Sequence, residues 1–322
     1  MIKLASAEMA EKKLATRAAF GATLAELAEE GVPVVAVDAD LTGSTTTKKF
    51  AAAAPENADK LFNCGIAEQN MIDVAAGLAL TGHVAYTGSF AVFGTGRAYD
   101  QIRNTVCDSG LNVKICPTHS GITVGADGAT HQMLEDIALM RVLPGMRVLV
   151  PADYASAVAA IRLAAKTPGP FYVRLGREPL PEVYDETFTC DVPFAGVPRE
   201  GSDISIMACG VEVAHALKAA ELLEAEGISA EVVDVFSVKP LDEETIIASA
   251  AKTGRVLTVE EHSVYGGMGS AVAELLSEKH PVPVSRLGLT TFGQSGTAAE
   301  LLAYYQLDAA GIVARVKELL GK

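Results

Sequence analysis

Val34-Val35-Ala36-Val37 runs straight into Asp38-Ala39-Asp40-Leu41. An unbroken apolar run rich in β-branched residues reads as a strand buried on both faces, and the acidic turn after it as a loop. Upstream, Phe20, Leu24 and Leu27 share one helix face, and Gly31 stops that helix. The helix–strand order then repeats. Further strands are expected at residues 61–64, 84–87, 113–116, 147–150 and 171–174, with helices at 69–80, 97–107, 134–142 and 154–165. This alternation predicts a mostly parallel sheet covered by helices on both faces.

Periodicity is lost over residues 178–203, where Pro179, Pro181, Pro193, Pro198 and Gly201 fall. Such a stretch reads as a linker. A second alternation comes after it, with strands at 204–207, 230–235 and 255–259 and helices at 213–225, 243–251 and 270–277. The expected fold class is α/β, with two doubly wound domains. Residues 1–185 form the first, 186–202 a linker, and 203–322 a smaller α/β domain.

With 322 residues, 49% of them hydrophobic, two domains can each bury a core. The net charge of -14 disfavours nucleic acid and anionic membranes as partners. No apolar run approaches the roughly 20 residues of a membrane span. Met1-Ile2-Lys3-Leu4 lacks a basic-then-apolar signal pattern, so a cytoplasmic protein is expected. The five cysteines are scattered without metal-ligand spacing, which predicts reduced thiols and no metal site in this chain.

Ligands of doubly wound sheets bind beyond the carboxyl ends of the strands. The loops there are Asp38 to Ser44, Asn63 to Asn70, Thr87 to Phe93 and His119 to His131, with Arg177 after the last strand of the first sheet. Singly, each signal has an ordinary explanation. A glutamate opening a helix, such as Glu68, usually serves the helix dipole. Phe90 and Phe93 suit a core, His119 and His131 suit hydrogen-bonded loops, and Gly125-Ala-Asp127-Gly128 is a common turn sequence. Their order carries more. Asp-Leu-x-x-Ser comes first, then Gly-Ile-x-Glu-x-Asn. Next is Ser-Phe-x-x-Phe with Arg-Ala-Tyr-Asp-Gln-Ile-Arg, and last Gly-x-Asp-Gly-x-Thr-His-Gln.

That order resembles the pyrimidine-binding domain of transketolases, enzymes of thiamine diphosphate. The second domain, with Ser237-Val-Lys-Pro240-Leu-Asp242 and Glu260-Glu-His262, is similar to the C-terminal domain of the same family. The resemblance implies that Glu68 engages the cofactor's pyrimidine nitrogen and so promotes the imino tautomer that activates the thiazolium carbon. An acid shielded among apolar walls suits that role. Phe90 and Phe93 would stack on and flank the pyrimidine, with Asp40 nearby. His131 would serve catalysis at the substrate's oxygens, and Asp127 would bind a sugar hydroxyl. Arg17, Ser44, His119 and Arg177 would line the channel and hold a terminal phosphate. The implied reaction moves a two-carbon ketol unit between a ketose phosphate and an aldose phosphate, with the pentose phosphate pathway as its default setting. One departure stands out: Phe93-Gly-Thr-Gly-Arg97 has glycines where many transketolases place a third aromatic residue.

The diphosphate signature, Gly-Asp-Gly with a downstream Asn-Asn, is absent; Ala126-Asp127-Gly128 is the nearest match. Gly266-Gly-Met-Gly269 opens a helix and is read as structural. The resemblance therefore implies a partner subunit, the N-terminal half of a transketolase, that holds Mg²⁺ or Ca²⁺ and the diphosphate in an α₂β₂ assembly. Three competing readings remain at this level. They are the β subunit of a 2-oxoacid dehydrogenase's decarboxylating component, a deoxyxylulose-phosphate-synthase-like enzyme, and a scaffold that has lost activity.

Overall fold

The computed structural model describes residues 3–322. The strands in chain order are β1 (Lys13–Ala15), β2 (Val34–Asp38), β3 (Leu61–Asn63), β4 (Val84–Gly88), β5 (Val113–Ile115), β6 (Arg147–Leu149) and β7 (Phe171–Val173). They continue as β8 (Pro179–Pro181), β9 (Gly196–Arg199), β10 (Ile204–Ala208), β11 (Ala230–Asp234), β12 (Ser237–Lys239), β13 (Val256–Ser263) and β14 (Val284–Leu289). The first sheet has seven strands in the order β12-β6-β7-β5-β4-β2-β3, and the second has five in the order β14-β13-β10-β11-β9. Both sheets are parallel except at one edge, where β12 and β9 pair antiparallel. The expected α/β architecture of two wound sheets is what the chain forms.

Strand β2 shows why these residues make this fold. Its side chains alternate between faces. Val34 and Ala36 join a core with Phe20, Leu24 and Leu27 of helix Thr16–Glu29 and Ile161 of helix Tyr154–Lys166. Val35 and Val37 join another with Met71 and Ile72 of helix Glu68–Leu80. That second core continues into Met207 and Val233 of the other sheet and Val272 of the helix Met268–Lys279. The two halves therefore share apolar interior.

The chain departs from the sequence expectation in three places. Ser237–Lys239 lies beyond β11, yet it pairs antiparallel with β6 of the first sheet. Gly196–Arg199, inside the stretch read as a linker, forms the edge strand of the second sheet. Pro198 is tolerated there because an edge strand need not donate on its open side. Nearby, β8 pairs with β1 in a two-stranded ribbon that ties the start of this stretch to the first domain. The helix expected at 97–107 is instead a π-helix at Val92–Arg97, a turn at Tyr99–Gln101 and a second π-helix at Ile102–Asp108. Wide turns of this kind cluster at functional sites. No helix is long and apolar enough to cross a membrane among the described residues.

Candidate active site

The carboxyl ends of β2, β3, β4 and β5 deliver the loops. Asp38 ends β2 fully buried and anchors the loop beyond it. It accepts from Leu41 N at 2.7 Å, Thr45 Oγ1 at 2.7 Å and Thr47 Oγ1 at 2.8 Å. This folds the segment that carries Asp40 and Ser44. Asp40 has φ 65°, a left-handed value that needs outside support. Asn63 supplies it. Its Oδ1 accepts from Asp40 N at 3.1 Å and Gly65 N at 2.9 Å, and its Nδ2 donates to Asp40 Oδ1 at 3.3 Å. Asn63 thus joins the Asp40 loop to the turn before Glu68.

Glu68 opens helix Glu68–Leu80, where the helix dipole favours a negative charge. It is 1% exposed. Its one charged partner among the described residues is Arg97, whose Nη1 donates to Oε2 at 2.7 Å. The Arg97 guanidinium also lies 4.7 Å from the centre of the Phe93 ring. Arg97 keeps nearly half its side chain in solvent, so the contact is made by a group free to swing away.

The aromatic residues meet as one cluster. Phe90 and Phe93 are near parallel, with ring centres 6.2 Å apart. His119 stacks on Phe90 at 3.8 Å, and His131 meets Phe93 edge-on at 5.4 Å. His119 has φ 61°, held in place by neighbours that pair with the sheet: Thr118 N donates to Ser89 O and Ser120 N to Leu175 O. Burial pushes the His119 imidazole down to about 3, with Arg17, Arg177 and His131 adding to the effect. It is neutral near pH 7 and shares a 2.8 Å hydrogen bond with Thr118 Oγ1.

The cationic side of the site is built from Arg17 and Arg177. Arg17 Nη1 donates to Ser44 O at 3.0 Å. Arg177 Nη1 donates to Val124 O at 2.6 Å and to Asp127 Oδ2 at 3.2 Å. Burial lowers the Arg17 pKa, and the charge of Arg177 lowers it further. Two guanidinium groups close enough to repel one another make a receptive place for a dianion.

The ten residues singled out by sequence thus fall into linked groups: Phe90, Phe93, His119 and His131; Arg177 with Asp127; Arg17 with Ser44; and Glu68, reached through Arg97 from Phe93. Asp40 stands at the exposed edge beside Asn63. Sequence reasoning passed over Arg97, Asn63 and Asp38. Arg97 carried a signal, since it stands where the aromatic spacing breaks; Asn63 and Asp38 looked like ordinary turn residues.

A flat, polar heteroaromatic ring fits this half of the site, since stacked phenyl rings and a buried carboxylate lie together. No group of three or more His, Cys, Asp or Glu residues could hold a metal among the described residues. The glycine-rich helix start at Met268 is already occupied, because Glu260 accepts from Met268 N at 2.7 Å and Gly269 N at 2.8 Å.

A buried carboxylate and an aromatic cluster beyond the strand ends of a wound sheet are the parts of an α/β enzyme domain. Residues 12–182 match the transketolase pyrimidine-binding domain, and residues 195–312 match the transketolase C-terminal domain. A putative transketolase C-terminal section of Methanocaldococcus jannaschii is 46% identical over 95% of this chain and 96% of its own length. A 6-deoxy-6-sulfo-D-fructose transketolase subunit of Clostridium sp. (strain MSTE9) is 43% identical over 92% of this chain and 91% of its own. The transketolase of Rattus norvegicus is 37% identical over 96% of this chain, which spans 50% of that protein. A solved structure described as a split gene transketolase, an inactive beta4 tetramer, superposes with a TM-score of 0.86 at 49% identity, covering 95% of this chain and 97% of that one. The chain belongs to the transketolase family, a family of transferases that includes split-gene forms.

Proposed function

We propose that this chain is the cofactor-activating and substrate-holding half of a two-chain, thiamine-diphosphate-dependent transketolase. It would move a two-carbon ketol unit from a ketose phosphate to an aldose phosphate. The observation that carries this reading is the buried Glu68 at a helix start, linked through Arg97 to the Phe90–Phe93–His119–His131 cluster. Bound thiamine diphosphate supplies a nucleophilic carbon and an electron sink.

The residues of this chain then have distinct tasks. Glu68 holds a proton at the pyrimidine nitrogen, and Arg97 gives up Oε2 to allow it. Phe90 and Phe93 pack the ring and keep water from the carboxylate. Neutral His119 faces the substrate's oxygens, and His131 beside it exchanges protons there. Asp127 accepts from a sugar hydroxyl. Arg17 and Arg177, with Ser44 beside them, hold the terminal anion. Mg²⁺ or Ca²⁺ and the diphosphate would fall to a partner subunit in an α₂β₂ assembly, as the missing Gly-Asp-Gly diphosphate signature implies. The split-gene relative described as an inactive tetramer of β chains fits that requirement.

A cytoplasmic, pentose-phosphate role is the default for this chemistry. A second substrate reading has its own support, because one relative is named for a sulfo-sugar and another, from Phocaeicola vulgatus, for apulose 4-phosphate. The paired arginines suit a sulfonate as they suit a phosphate. The test is reconstitution with the N-terminal-half subunit, thiamine diphosphate and Mg²⁺, using xylulose 5-phosphate as donor and ribose 5-phosphate as acceptor. Ketol transfer is expected from the pair and none from the chain alone. Turnover by the chain alone would overturn the two-chain reading.

A further inference from the structure

Residues 119–131 include a short 3₁₀ turn, Ile122–Asp127, that bears Asp127 at its end and is flanked by His119 and His131. Fewer regular hydrogen bonds hold such a turn than hold a helix, so its shape depends on what grips it. The second domain supplies that grip. Glu261, on β13, is 3% exposed. Its Oε2 accepts from Thr123 N at 3.1 Å and from Thr123 Oγ1 at 2.9 Å, and its Oε1 faces Arg174 Nη1 at 3.4 Å. Arg174 is itself fixed by Asp136 Oδ2 at 2.7 Å from its Nε.

The turn is shaped around this carboxylate. Gly121 has φ 76°, and a Cβ there would fall 2.1 Å from the carboxyl carbon of Glu261, so only glycine lets the backbone close over it. A second tether lies on the far side. Gln132 Nε2 donates to Ile122 O at 3.3 Å and Gly125 O at 3.2 Å within the turn, and to Gln294 O of the second domain at 2.8 Å. Arg177 meets the next residue along, at Val124 O, from the solvent side.

We propose that Glu261 is a positioning residue for the sugar site: through Thr123 it sets the Ile122–Asp127 turn, and with it Asp127 and His131. The proposal rests on the reading of Asp127 and Arg177 as substrate contacts. It gives the second domain, which none of the candidate site residues comes from, a part in substrate recognition.

Glu261→Gln is a discriminating change. A carboxylate accepts on both oxygens, whereas an amide keeps one acceptor; the Arg174 guanidinium claims it, which turns the NH₂ toward Thr123 and leaves the Thr123 N–H without its acceptor. Thr123→Val removes the side-chain bond while Glu261 stays intact, and Thr123→Ser keeps it. The first readout uses the full chain alone. Hydrogen exchange over residues 121–132 is expected to quicken about tenfold in Glu261→Gln and Thr123→Val, with the rest of β13 unchanged. The second uses the reconstituted enzyme with xylulose 5-phosphate. KM is expected to rise about tenfold in both variants with kcat within about threefold, and Thr123→Ser to stay within about twofold of the parent. The double variant should be no worse than either single one, because both break one contact. Unchanged exchange and unchanged KM in Glu261→Gln, alongside a raised KM in Asp127→Asn, would overturn the inference alone. An unchanged KM in Asp127→Asn and Arg177→Ala would overturn the reading beneath it.

Discussion

The turn at Ile122–Asp127 and the helix start at Glu68 lie on the same sheet edge, but this chain finishes only one of them. Thr123 of the turn is clamped by Glu261, Gln132 is tied to Gln294, and Arg177 binds from outside. Around Glu68 the neighbours are open: Ile66 is 78% exposed and Phe62 is 36% exposed, and Arg97 is the only charged side chain on the carboxylate among the described residues. A buried acid flanked by exposed apolar residues marks a surface awaiting cover. The contrast is between a turn gripped from three sides within the chain and a carboxylate held by one half-exposed side chain, the arrangement expected if the proposed cofactor site is completed at an interface.

The largest effect that could break this contrast is at Glu68. Glu68→Ala should lower kcat of the reconstituted pair by at least about 10³-fold while assembly, followed by sedimentation, stays intact. Loss of assembly with normal kcat per complex would make Glu68 an interface residue and nothing more. Next comes the clamped side. Arg177→Ala removes a charged donor from both the anion and Asp127, so KM for xylulose 5-phosphate should rise about 10- to 100-fold with kcat less affected. A fall in kcat at constant KM would move Arg177 out of the anion site.

Smaller effects sharpen the comparison. The Glu68–Arg97 pair is half exposed on the arginine side, so its net worth is that of a surface pair, about 0.2–1 kcal/mol. Arg97→Ala should tighten thiamine diphosphate binding by no more than about fivefold, measured by titration of the reconstituted pair, because the carboxylate no longer has to exchange partners. Weaker binding would make Arg97 a wall of the cofactor site instead. A further effect, confined to acid pH, is at His119. Its imidazole is depressed from 6.5 to about 3, chiefly by burial. The unfolded chain takes up this proton first, so the stability it contributes is complete above pH 6.5 and is lost as pH falls toward 3. His119→Gln should flatten that part of the pH–stability curve, read by thermal melts between pH 7 and the acid limit of solubility. An unchanged slope would place the proton uptake elsewhere.

Much of the fold was legible because buried parallel strands are written as short β-branched runs, as at Val34 to Val37 and Ile204 to Met207. What escaped was edge structure. Ser237–Lys239 and Gly196–Arg199 mix serine, glycine, proline and charged residues in place of an apolar run, and each gains its identity only from the strand it meets. In the candidate site, Phe90, Phe93, His119 and His131 could be singled out because motif order carries them, and the structure brings their rings together. Asn63 and Asp38 could not be, because a side chain that braces a backbone turn looks locally like any polar turn residue. Arg97 stood out only as part of a motif. Its contact with Glu68 spans 29 positions and a run of π-helix, which no spacing rule describes.

By itself, then, the sequence determined the two wound sheets, the edge on which the site lies, and the residue types that could act there. These are local properties: strand burial, loop placement and side-chain chemistry are set by neighbours along the chain. The tertiary structure decided that β12 crosses into the first sheet, that Arg97 covers Glu68, and that Glu261 shapes the turn bearing Asp127. Those depend on contacts between residues far apart in sequence, whose energies are set by burial and by the lack of any other partner within reach.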